Sequence, residues 1–242
     1  MADDHATTTP WRDRRAFLVG ITAAAGWLDA LAFLHLGKVF NSFMTGNVLF
    51  VGFGIGEADG GLVVRAGAAL TAFVLGSFVG ARIVGSRLTA GAKHEPLTRA
   101  LRLEAGLLTA FAVLWLATGA PAEQPVVQVV LLALGAAAMG LQAAVSLALK
   151  IPNIATVALT ATIAQLAALA GWRRREGVIA PEVPAPALMG SMILTYFASA
   201  LIVALAPGWR ILSLGPLVLL AFGVGTRPAS RASRPPRLSP QT

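Results

Sequence analysis

The chain has no cysteine in its 242 residues. Disulfides, thiol chemistry and cysteine-ligated metals are therefore excluded. Charge is also scarce, at 12% of residues against about 25% in a soluble domain. Neither H-E-x-x-H nor G-x-S-x-G occurs. The apolar runs hold one central carboxylate, Asp29, and one histidine at a run's edge, His35. A lone histidine makes no metal site. An enzyme, a cofactor and a metal centre are accordingly not expected.

Apolar residues are abundant, at 56%. The charge deficit then has a simple cause: most side chains face lipid or other helices. The length allows about six to eight spans at roughly 20 residues each and leaves no separate soluble domain. The net charge of +8 would suggest nucleic acid in a soluble protein. Here the basic residues are confined to loops and tails without interleaved aromatics. The expected partner is the lipid bilayer and not nucleic acid.

Residues 1–15 read as a cytoplasmic tail, 16–225 as one polytopic domain and 226–242 as a disordered basic tail. The run that begins at 16 continues to 36, too long for a signal h-region of about 7–15 residues, so a retained span is expected. Full spans are expected at 16–36, 62–84, 100–118, 126–149 and 187–206, with a short last span at 211–225. Residues 43–55 are apolar but fall below the roughly 17 residues a spanning helix needs. Residues 154–171 form another apolar run, set off from its predecessor by Pro152.

Charge decides between topologies. If every run crossed, the loop with Arg82, Arg87, Lys93, Arg99 and Arg102 would lie outside, against the positive-inside rule. If 43–55 and 154–171 dip in and return, only Lys38, Arg65 and Arg210 lie outside, which leaves 16 of the 19 basic residues inside. The expected fold is thus all-α: six transmembrane helices, two re-entrant or broken segments and both termini cytoplasmic. The halves, 16–118 and 126–225, then become inverted repeats. Gly26–Trp27–Leu28–Asp29 and Gly140–Leu141–Gln142–Ala143 open corresponding motifs, and Lys38 and Lys150 mark the two breaks. Inverted repeats with interrupted segments are the architecture of many secondary transporters.

Asp29 is the leading candidate residue. A carboxylate at mid-span costs about 2.5–3.5 kcal/mol on insertion scales, so a proton, a cation or neighbouring donors must offset it. The alternative is a neutral, hydrogen-bonded packing carboxylate. Thr45, Gly46 and Asn47 open the short run; they are expected either to bind solute or ion or to cap a helix. Gln142 and Thr160 take comparable places in the second half. Gln142 and Gln165 otherwise read as interhelical hydrogen bonders. His35 is weighed as a proton relay against an interfacial residue. Arg102 and Glu104 read as first-turn residues that snorkel to the interface. Gly76 and Gly80, one turn apart, suit close helix approach and a possible homo-oligomer contact.

The stretch GWLDALAFLHLGKVFNSFMTGN resembles the N-terminal signature of the YoaK-like family, bacterial inner-membrane proteins of unknown function. The match falls on Gly26, Asp29, Phe40, Thr45, Gly46 and Asn47. The family's Gly-x-Gln-Asn-Ala element reads Gly140–Leu141–Gln142–Ala143–Ala144 here, and its later Thr-Gly pair reads Thr160–Ala161. The resemblance implies a multi-pass inner-membrane protein of about six spans and names no substrate. The expected function is a small-solute transporter, proton- or cation-coupled through Asp29; the alternatives are an accessory membrane subunit and a passive channel.

Overall fold

In hydrocarbon every backbone N–H and C=O must find an internal partner, so apolar runs of this length fold as helices. The computed structural model describes residues 15–85, 95–119, 123–148, 163–164, 166–167, 186–205 and 213–225. Seven helices run through them: α1 (Arg15–His35), α2 (Met44–Gly56), α3 (Gly60–Val84), α4 (Glu95–Thr118), α5 (Pro125–Ala148), α6 (Pro186–Leu205) and α7 (Gly215–Gly225). No strand occurs among the described residues. Among the described residues, five helices are long and apolar enough to cross a membrane: those within α1, α3, α4, α5 and α6. The protein is an all-helical, multi-pass membrane protein.

The short run at 43–55 becomes α2, with 13 residues. At 1.5 Å per residue it measures about 20 Å, well under the roughly 30 Å of the hydrocarbon core. It folds back on α3. Asp59 makes the turn between them by accepting the N–H of Leu62 at 2.9 Å, the N-cap bond of α3. The second short run, 154–171, lies almost wholly outside the described residues.

Two boundaries differ from the sequence expectation. Helix α4 begins at Glu95, not near residue 100. Pro96 suits a first turn, where a missing N–H leaves nothing unpaired. Glu104 is therefore the tenth residue of the helix and is fully buried, while Arg102 is exposed. The snorkelling expected of Glu104 does not occur. Helix α7 likewise begins at Gly215, not at residue 211, with Pro216 in its first turn.

The inner helices are α1 and α5. Helix α1 packs against α6 and α7, and α5 packs against α3 and α4. The outer helices turn apolar side chains outward, among them Val74, Leu75 and Phe78 on α3 and Phe197 and Ile202 on α6. That suits contact with lipid tails.

The tightest crossing is α3 on α5. A Cβ on Gly76 would strike the carbonyl of Ala137, and one on Gly140 would strike the carbonyl of Phe73. Ser77 Oγ donates to the Gly140 carbonyl at 3.2 Å across the same crossing. The Gly76/Gly80 face, expected to suit a second copy of the chain, is filled from within by Ala137, Leu141 and Ala144.

Candidate functional site

Helix α1 ends because Gly37 and Lys38 both adopt positive φ, 93° and 66°. Glycine takes that conformation freely; lysine does so at a cost of roughly 1–2 kcal/mol. The Gly37 carbonyl accepts Arg65 Nε from α3 at 3.3 Å. The Lys38 ammonium lies 5.0 Å from the centre of the Phe33 ring. From Val39 to Phe43 the chain is non-helical yet largely buried, with Asn41 and Ser42 inside. Its backbone polar groups cannot reach water and must find partners in the protein.

Asp29 supplies them. Its Oδ1 accepts the backbone N–H groups of Asn41 and Ser42, each at 2.7 Å. Its Oδ2 accepts the Ser42 hydroxyl at 2.5 Å and the Tyr196 hydroxyl, from α6, at 2.6 Å. The carboxylate thus has four donors and is 2% exposed. Asn47 does the same for Phe40: Oδ1 accepts its N–H at 2.9 Å and Nδ2 donates to its carbonyl at 2.7 Å. Asn41 Nδ2 donates to the Leu28 carbonyl at 3.2 Å. Phe40 stacks between Phe33 and Phe50, at 5.2 and 5.8 Å, and covers the loop.

The second half of the chain closes this site. Tyr196 approaches from α6. Gly135 of α5 lies flat against the Asn41 carboxamide, where a Cβ would fall 2.7 Å from Nδ2. Asn41 Oδ1 is buried and meets no donor among the described residues.

The sequence candidates divide as follows. Asp29 and Asn47 meet at the loop, one on either side of it. Gly46 is buried because the rings of Phe43 and Phe40 fold over it. Thr45 is exposed, and the N-cap position of α2 belongs to Phe43, which makes no side-chain cap bond. Gln142 is buried away from the loop and donates from Nε2 to the Ile21 carbonyl at 3.0 Å. His35 sits edge-on to Trp115 at 5.9 Å. It is six residues beyond Asp29, about 9 Å along the helix axis, and does not join the cluster. Thr160 and Gln165 lie outside the described residues.

Asn41, Ser42 and Tyr196 were not singled out by the sequence. Tyr196 carried a usable signal: it is the chain's one tyrosine, at the middle of an uncharged span. Tyrosines of membrane proteins gather at the membrane–water interface, so one at mid-span calls for a buried acceptor.

The Asn47 bonds give a direct expectation. Asn47→Ala leaves the N–H and C=O of Phe40 without partners, at about 1–3 kcal/mol for each buried group. The detergent-solubilised variant should unfold at clearly lower temperature than wild type. An unchanged midpoint would show that the Phe40–Asn47 pair holds nothing.

A family model described as "Protein of unknown function (DUF1275)" matches residues 17–226. The UPF0700 transmembrane protein YoaK of Bacillus subtilis (strain 168) is 30% identical over 216 residues, 87% of this chain and 92% of that protein. No solved structure matches. With a family model spanning nearly all of the membrane domain and a relative matched over most of its length, the chain belongs to the DUF1275, YoaK-like family of transmembrane proteins.

Proposed function

We propose that this protein is a secondary transporter of a small solute that exchanges a proton at Asp29. It is built from two inverted halves, 16–118 and 126–225, in the bacterial inner membrane with both termini cytoplasmic. One observation carries the reading: the Asp29 carboxylate ties the interrupted segment of the first half to Tyr196 of the second. Solute sites in repeat-built transporters lie at such interrupted segments, where the repeats meet near the midplane. The packing agrees, since the first helix of each half rests on the later spans of the other: α1 on α6 and α7, α5 on α3 and α4.

The hydrogen bonds favour a proton over a metal cation. The backbone N–H groups on Oδ1 can only donate. The hydroxyls on Oδ2, from Ser42 and Tyr196, can donate or accept. A proton can therefore be added to Oδ2 while both hydroxyls stay in place, one of them turning to accept. A cation at either oxygen would have to displace donors. Asn41 Oδ1 beside the cluster offers a further acceptor for an O–H or N–H group of a solute or a water molecule.

The same complete set of bonds favours a second reading, in which Asp29 is a static brace in an accessory subunit. Proteoliposomes loaded with a pH-sensitive dye and challenged with amino acids, sugars and carboxylic acids separate the two. Transport predicts solute-dependent proton entry with wild type and its loss with Asp29→Asn, at nearly unchanged thermal stability. Proton entry unaltered by Asp29→Asn removes Asp29 from the mechanism. No entry with any solute in wild type favours the accessory role.

A further inference from the structure

Helices α3 and α6 share a burial pattern over most of their lengths. Residues 66–82 and 189–205 follow the same succession of buried, half-buried and exposed side chains, with one difference, at Leu75 and Ala198. The buried positions are Ala66, Ala69, Gly76 and Gly80 on α3, and Met189, Met192, Ser199 and Val203 on α6. This register sets Phe73 opposite Tyr196.

The inner helices yield the same pairing independently. At the α1–α6 crossing a Cβ on Gly26 would fall 2.8 Å from the Tyr196 carbonyl oxygen; at the α3–α5 crossing one on Gly140 would meet the Phe73 carbonyl. Gly26 therefore corresponds to Gly140. Three residues further on, Asp29 corresponds to Ala143.

At the first crossing the tyrosine hydroxyl donates to the carboxylate. At the second, the equivalent residues are a phenylalanine and an alanine. We infer that Phe73 and Ala143 mark a second copy of the Asp29–Tyr196 position that has lost its carboxylate and its hydroxyl, so that, among the described residues, one of two such positions is equipped to exchange a proton. This rests on the reading of two repeated halves. Losing both partners is the cheap route: a buried carboxylate without its donor is costly, whereas two apolar replacements together are nearly neutral. The halves then differ in task. The first, with Tyr196, exchanges the proton; the α3–α5 crossing is a fixed bearing.

A double-mutant cycle on the full chain in detergent tests the correspondence. Ala143→Asp should lower the unfolding midpoint by about 5–10 °C, as an unpaired carboxylate within a span. Adding Phe73→Tyr should recover about half of that loss, while Phe73→Tyr alone brings no gain. Additive effects of the two substitutions would overturn the inference. Should Ala143→Asp fail to accumulate, Ala143→Asn with and without Phe73→Tyr reads the same coupling, and additivity there has the same meaning.

Single cysteines at Gly60 and Ala187, in the first turns of α3 and α6, test the inversion on intact cells. An impermeant thiol reagent should label Gly60→Cys alone. Labelling of both or of neither would end the inverted arrangement, and the inference with it. Rescue by Phe73→Tyr together with normal solute-driven proton entry in Asp29→Asn would keep the duplication and remove proton coupling. Failed rescue together with a transport-dead Asp29→Asn would do the reverse.

Discussion

Replacing Asp29 by alanine should cost about 2–6 kcal/mol of stability, and replacing it by asparagine far less. The alanine variant leaves the N–H groups of Asn41 and Ser42 buried without an acceptor, each at about 1–3 kcal/mol. It also removes the acceptor of the Ser42 and Tyr196 hydroxyls. Asparagine keeps a carbonyl oxygen for the two N–H groups, and its amide can donate to the hydroxyls once they turn to accept. Thermal unfolding of the purified variants, with their membrane yields, measures the difference. An alanine variant as stable as wild type would mean that the loop at 39–43 does not depend on Asp29. Equal losses for alanine and asparagine would mean that the negative charge, not the acceptor geometry, holds it. The comparison matters for the proposed function, because it tests whether Asp29→Asn removes the titratable group while keeping the brace.

The second large effect concerns the α3–α5 crossing. Gly76→Ala and Gly140→Ala each add a methyl group against the backbone of the facing helix, at Ala137 and at Phe73. Backbone cannot swing aside as a side-chain end can, so the helices must separate. Overpacking of this kind costs about 1–3 kcal/mol and occasionally more. Separation also stretches the Ser77–Gly140 bond. Gly67 on α3 and Gly106 on α4 have open space where a Cβ would go. Gly67→Ala and Gly106→Ala should therefore gain up to about 1 kcal/mol from helix propensity. Opposite signs within one helix, at Gly76 and Gly67, form the test. If all four substitutions shift the midpoint alike, the crossing is not as close as its geometry states.

Asp29 illustrates how far the sequence reaches. A carboxylate within an apolar run is conspicuous because its cost in hydrocarbon is a property of the residue and its immediate neighbours. Its use is not local. The donors lie 12 and 13 residues on, at Asn41 and Ser42, and 167 residues on, at Tyr196. Asn47 was legible as a polar residue at the head of a short apolar run; its role as a clamp on Phe40 was not, because the clamp spans a loop whose path no periodicity encodes.

The sequence by itself determined the class and most of the described helices, since hydropathy, proline and glycine act within a turn or two. It also singled out Asp29 and the short run after it, since a break and a charge at membrane depth are visible in one dimension. Only the tertiary structure decided which helix faces meet. It gave the Gly76/Gly80 face to α5 instead of a second copy, put Glu104 inside, and brought Tyr196 to Asp29. Those outcomes depend on the rotation and depth of one helix against another. Lipid-facing and helix-facing residues are equally apolar here, so hydropathy does not distinguish them; backbone contact at glycines and hydrogen bonds across the crossings do.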